Sequence, residues 1–181
     1  MSVDLKFSEV ETPKEAKKST KVKGFSIKNC TITGVIAGKT QTPNDLIEVG
    51  FVTSDGLEHT ERMSLSGGAV KYTLQKLSTL ASKIVAAEEV SKDMSVEQLN
   101  RLLTGKKVRI KFSAEEYVGT DGNTYTKAVI GLFGFCESID VPMEETKLVL
   151  DKDSKWDYKR LPSSSTAGTS TSKSNVDDLP F

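Results

Sequence analysis

The sequence predicts a mainly β domain with a helical insertion between its third and fourth strands. Runs rich in β-branched residues with apolar alternation mark five strands, separated by Gly- and Asp-containing turns. The apolar period changes to helical spacing in one region only, between residues 69 and 103.

Phe25 to Ile36 reads as a long first strand, and Gly34 within it predicts a bulge or sharp bend. Gly38 to Asp45 is a loop. Leu46 to Thr53 is the second strand, with Ile47, Val49 and Phe51 on one face. Ser54-Asp55-Gly56 turns the chain into a third strand, Leu57 to Leu65. Val70, Leu74, Leu77, Ala81 and Ile84 then recur at helical spacing, which predicts an amphipathic helix over Ala69–Ala87. A shorter helix follows, with Ser95 as cap, Gln98 at the capping-box position and Gly105 just past its end. Its buried stripe is Val96, Leu99 and Leu103. Lys106 to Tyr117 alternates sharply, turns at Asp121-Gly122-Asn123, and returns as Thr124 to Phe135.

Three strands, a helical segment and two more strands is the order of an OB-fold, a five-stranded Greek-key barrel. A generic α+β domain with other strand pairings is the alternative. The expected organisation is a lysine-rich arm over 1–24, a domain over 25–160 ending in a polar extension, a flexible Ser/Thr linker over 161–176, and a tip over 177–181. The linker carries too few apolar groups to offset the entropy of ordering it.

With 25 basic and 25 acidic side chains in 181 residues, the chain has no net charge to draw it toward nucleic acid or membrane. Basic surface must therefore be local. The arm carries a net +2 and reads as a solvated tail or as a contact to nucleic-acid backbone. The two cysteines, Cys30 and Cys136, lie far apart, and no apolar leader or membrane-length run is visible. Reduced thiols in a cytoplasmic setting, with no membrane partner, are the expectation.

Catalysis finds little support. One histidine and two distant cysteines give no zinc spacing, and no phosphate loop is present. His59 reads as a surface residue, and Asp151 and Asp153 as solvated acids. Neither an enzyme nor a cofactor is expected, and no metal site.

Binding is better supported. Lys107, Arg109 and Lys111 place three cations on one strand face about 7 Å apart. Tyr117, Tyr125 and Lys127 lie at the hairpin that follows. Cations along a track with aromatic faces beside them are what sequence-tolerant single-strand binding requires. The triplet would serve equally as the solvated half of an amphipathic strand; the tyrosines and the tail favour binding. Trp156, Tyr158 and Arg160 form a second aromatic-cationic cluster, in which Trp156 either stacks on DNA or packs as a lid. Phe25 and Phe51 are weaker candidates, and Phe133 and Phe135 are assigned to the core or to a dimer contact.

The chain closes on Asp177-Asp178-Leu179-Pro180-Phe181. Such a tip is a ready peptide ligand: Phe181 can fill an apolar pocket while its carboxylate takes a basic group. Pro180 limits the ordering entropy, and the two acids favour a basic rim.

This ending resembles the acidic tip of bacterial single-stranded DNA-binding proteins. The two added helical segments and the lysine-rich leader depart from the compact bacterial version. The chain more closely resembles the bacteriophage-encoded type, which keeps the barrel and acidic tail. The resemblance implies protection of single-stranded DNA in replication, recombination and repair. It also implies recruitment of partner enzymes through residues 177–181, in a bacterial or phage-infected cytoplasm. The oligomeric state stays open between monomer and dimer. A strand-annealing recombination protein and a protein adaptor that binds no DNA are the alternatives.

Overall fold

The computed structural model describes residues 19–39, 45–86, 89 and 93–162. Most of the arm, the Ser/Thr linker and the tip at 177–181 lie outside the described residues.

Strands β1 (Ser26–Lys39), β2 (Asp45–Thr53) and β3 (Glu58–Ser64) are followed by helices α1 (Ala69–Ile84) and α2 (Val96–Leu103). Strands β4 (Lys107–Val118), β5 (Thr124–Ile130), β6 (Cys136–Ser138) and β7 (Tyr158–Lys159) complete one seven-stranded sheet. The domain is mainly β, as expected, with its helices between the third and fourth strands. The sheet path is β3-β2-β1-β4-β5, with β6 and β7 also on β4. It is an open path: a five-stranded barrel closed by hydrogen bonds between β3 and β5 is not formed. Instead Lys76 of α1 spans the two end strands, donating to Glu61 Oε1 of β3 and to the Ile130 carbonyl of β5, each at 2.5 Å.

Local chemistry explains the elements. The β1–β2 register shifts between Ile32 and Gly34, which is the bulge expected at Gly34. Asn100 Oδ1 of α2 accepts a hydrogen bond from the Val35 amide beside that bulge at 2.7 Å. Helix α2 is thus seated on the irregular stretch of β1. Its capping box is present, with Ser95 Oγ accepting from the Gln98 amide and Gln98 Oε1 from the Ser95 amide.

The buried face of α1 is Thr73, Leu77, Leu80 and Ala81, whereas Leu74 is 55% exposed. Leu77 and Ala81 of the expected stripe are buried, but Thr73 takes the place expected of Leu74. The reason is polar: Thr73 Oγ1 donates to the Ser64 carbonyl at 2.6 Å, turning that side of the helix onto the end of β3. Phe51 and Phe135 are core residues, with Ile32, Val35, Val49, Phe112 and Leu103. Phe133, assigned to the core or a dimer contact, is 65% exposed, because β5 ends at Ile130 and the chain turns there rather than running on to Phe135. His59 is not a surface residue. Its side chain is 11% exposed, bonded to Glu61 and edge-on to the Phe112 ring at 5.0 Å.

The largest departure concerns residues 136–160, expected as a polar extension. They are built onto β4. β6 pairs antiparallel with its first half, setting Glu137 opposite Arg109, and β7 pairs parallel with its second half. Arg109 is 3% exposed. Its guanidinium donates to Glu137 Oε1 at 2.7 Å, to the Val141 carbonyl at 2.8 Å and to Asn29 Oδ1 at 2.9 Å. Glu137 also accepts from the Thr146 hydroxyl and the Lys147 amide.

Two predictions follow from these buried charges. Glu137→Ala leaves the Arg109 guanidinium buried without its counter-ion, so urea denaturation should show a loss of about 3–5 kcal/mol; a loss below about 1 kcal/mol would contradict the assignment. The second concerns acid. Burial pushes the carboxyls of Glu61 and Glu137 up. The His59 hydrogen bond and the Lys76 ammonium outweigh this for Glu61, as the Thr146 hydroxyl and Arg109 do for Glu137, and both stay below the ordinary 4.5. Their contribution is present in full above that value and is lost as pH falls through the lower folded-state values. The urea midpoint should therefore drop below about pH 4.5 in the native protein, and less steeply in Glu61→Gln.

Candidate nucleic-acid interface

The hairpin of β4 and β5 carries the most exposed aromatic pair of the sheet. Tyr117 and Tyr125 are directly opposed across the two strands, which puts their rings on one face. The ring centroids are 5.9 Å apart with 33° between planes, and the residues are 42% and 43% exposed. Two pairs further along, Lys127 faces Glu115, with Nζ 3.2 Å from Oε2, while its side chain stays 54% exposed. Lys159 of β7 reaches the other oxygen of Glu115 at 3.0 Å. Hydrogen bonds from the two lysines outweigh what desolvation Glu115 suffers and hold its carboxyl below the ordinary range.

The tyrosines stand at the rim of a groove of about 840 Å³ between β5 and β3. Lys21, Lys23, Arg62 and Lys127 line it against a single acid, Glu58. In a chain without net charge, this is the local basic surface that binding to phosphate requires. Residues 20–22 reach the groove by pairing with the start of β3. The Val22 amide donates to the Glu58 carbonyl at 3.1 Å, and the Glu58 amide to the Thr20 carbonyl at 2.7 Å. The chain then crosses β4 at Gly24, where a Cβ would come within 2.9 Å of the Ala114 Cα; only glycine permits the crossing. Phe25, at φ 61°, turns it into β1.

The structure sorts the residues expected to contact DNA. Tyr117, Tyr125 and Lys127 come together as anticipated. Arg109 does not belong with them, since it is buried against Glu137. Lys111 is withdrawn too: its ammonium lies 2.8 Å from Asp157 Oδ1 and its side chain is 16% exposed. Lys107 is exposed but sits ten residues from Tyr117 along β4, roughly 33 Å at strand rise. The cationic triplet is therefore not a track. Period-two alternation reports which side a residue faces, not what later covers that side, and here Glu137 and Asp157 do.

Trp156 is 79% exposed with Lys155 Nζ 5.2 Å from its ring, so it does not pack as a lid. Tyr158 is half-buried, with its edge against Phe25 at 5.8 Å and the Arg160 guanidinium 5.0 Å over its ring. Its face is thus already occupied. Trp156 and Arg160, on either side of β7, remain exposed.

Reasoning from sequence left Lys21 and Lys23 within an arm that was either solvated or in contact with nucleic acid, and missed Arg62. A signal existed for the first two, because a lysine pair directly before Gly-Phe and a strand is placed by that strand, not left in a solvated tail. Arg62 offered none, since its place depends on β3 facing β5 across the groove. Among the described residues no helix is long and apolar enough to cross a membrane. No protein-family model matches the chain, and no match is found among curated proteins.

Proposed function

We propose that this chain binds single-stranded DNA without reading its sequence, and that its C-terminal tip brings partner enzymes to the coated strand. The observation that carries the proposal is the exposed, mutually tilted Tyr117–Tyr125 pair beside a groove lined by four cations and one acid. Bases of any identity stack on aromatic faces, at roughly 1–3 kcal/mol each, while cations follow the backbone. The sheet path supports reading the domain as a partly open OB barrel, whose loop between the fourth and fifth strands flanks the binding cleft. That loop here is Gly119–Asn123, between Tyr117 and Tyr125.

The division of labour is physical. The tyrosines supply stacking, which is nearly indifferent to salt. Lys21, Lys23, Arg62 and Lys127 supply the electrostatic part, each phosphate neutralised adding about 0.7 to the salt slope of binding. Arg62 and Lys127 are held by Glu48 and Glu115 in the free protein, so phosphate exchanges with a carboxylate at these exposed positions. The tip, Asp177 to Phe181, acts on replication and recombination enzymes by raising their concentration near the bound strand. This is a role in binding and recruitment, not catalysis.

Substitution separates the two contributions. Tyr117→Ala or Tyr125→Ala should weaken binding of a labelled oligothymidylate by roughly 5- to 150-fold with the salt slope unchanged. Lys127→Ala should weaken it less and lower the slope by about 0.7. Fluorescence anisotropy at several salt concentrations gives both quantities. Alanine at both tyrosines with no change in affinity would remove the hairpin from the interface.

A further inference from the structure

An acid stands at the tip of the hairpin whose tyrosines line the basic groove, where it would repel an approaching phosphate. Asp121 lies in the loop between the two tyrosines and is exposed. The Tyr125 hydroxyl donates to Asp121 Oδ2 at 2.5 Å. The same oxygen accepts from Asn123 Nδ2 at 2.9 Å, and Oδ1 accepts from the Asn123 amide at 3.0 Å. The carboxylate is thereby fixed to the loop backbone at one end and to the tyrosine at the other. Three such donors hold its pKa below the ordinary range, the Tyr125 hydroxyl foremost, so it is ionised wherever the protein is folded near neutrality.

Gly119 completes the arrangement. A Cβ at this position would stand 2.6 Å from Tyr125 Cε2 and 2.9 Å from Cδ2, so the ring lies against a bare backbone. Tyr125 is thus bounded on three sides: by Asp121 at its hydroxyl, by Gly119 at one ring edge, and by Tyr117 across the strand pair.

We propose that Asp121 and Gly119 are positioning residues that hold the Tyr125 ring in its stacking orientation before DNA arrives. This rests on the reading of the hairpin as a single-strand interface and adds how the platform is prepared. An exposed tyrosine samples several rotamers, and fixing one in advance lowers the ordering cost charged to binding. The benefit outweighs the repulsion of one exposed, screened carboxylate.

The proposal makes a signed prediction, because a purely electrostatic surface behaves in the opposite way. Asp121→Ala removes a negative charge and should nonetheless weaken oligothymidylate binding by about 3- to 10-fold. Asp121→Asn keeps an acceptor for the hydroxyl without the charge, and should bind at least as tightly as the native protein. Tyr125→Phe keeps the ring and the loop but loses the anchor. It should match the loss in Asp121→Ala, and the double variant should be no worse than either alone. In the free protein, nuclear Overhauser contacts between the Tyr125 ring and the Gly119 α-protons should be present in the native chain and in Asp121→Asn. They should weaken in Asp121→Ala and in Tyr125→Phe. Native or tighter binding by Asp121→Ala or Tyr125→Phe would overturn the positioning role while leaving single-strand binding intact. Failure of the native protein to bind at all would remove both.

Discussion

Arg109 sits in the middle of β4 with its guanidinium almost wholly withdrawn from water, and the arrangement of the domain follows from what makes this tolerable. An isolated cation in that position would cost several kcal/mol. Glu137, Asn29 and the Val141 carbonyl take its Nε and Nη1 donors, Asn29 from β1 and the other two from β6 and the turn after it. Satisfying Arg109 therefore brings β1 and the segment after β6 to the same place. With Asp157 on Lys111, the outer side of β4 becomes interior. Apart from Lys107 at its start, what stays open of that strand is its far end, the hairpin with Tyr117 and Tyr125. The surface proposed for binding lies at the hairpin because the middle of β4 is occupied.

The second organising feature is the pair of end strands. β3 and β5 are not joined by hydrogen bonds, and two devices occupy the space between them. On one side Lys76 ties Glu61 to the Ile130 carbonyl beneath α1. On the other, residues 20–22 pair with Glu58 and bring Lys21 and Lys23 to the groove. A partly open sheet thus gives a lined groove where a closed barrel would give a seam. Because the chain as a whole is neutral, the function proposed depends on this local segregation of charge.

Much of the fold was legible in the residues themselves. Alternation located all five long strands, Gly34 marked the bulge, and Ser95 with Gln98 marked the start of α2. These signals are local and depend only on backbone geometry and periodicity. The errors share a cause, which is that pairing partners far along the chain decide burial. Glu137 and Asp157 follow their partners at a distance that no window covers, so Arg109 and Lys111 read as exposed. Thr73 took the buried position expected of Leu74 because a hydroxyl found the Ser64 carbonyl. His59 read as exposed because nothing local announces the Phe112 ring packed against it. The tyrosine pair was readable for the opposite reason: a tight hairpin fixes its own register, so Tyr117 and Tyr125 had to meet.

The account stands on preferential binding of single strands, and one titration addresses it directly. The native protein is titrated with oligothymidylate and with duplex of equal length at two salt concentrations, following the emission of Trp156, its only tryptophan. The account predicts saturable binding to the single strand, weaker or absent for the duplex, with affinity falling as salt rises. No binding to either form by emission or by anisotropy would contradict it, leaving the C-terminal tip without a DNA-bound domain to serve.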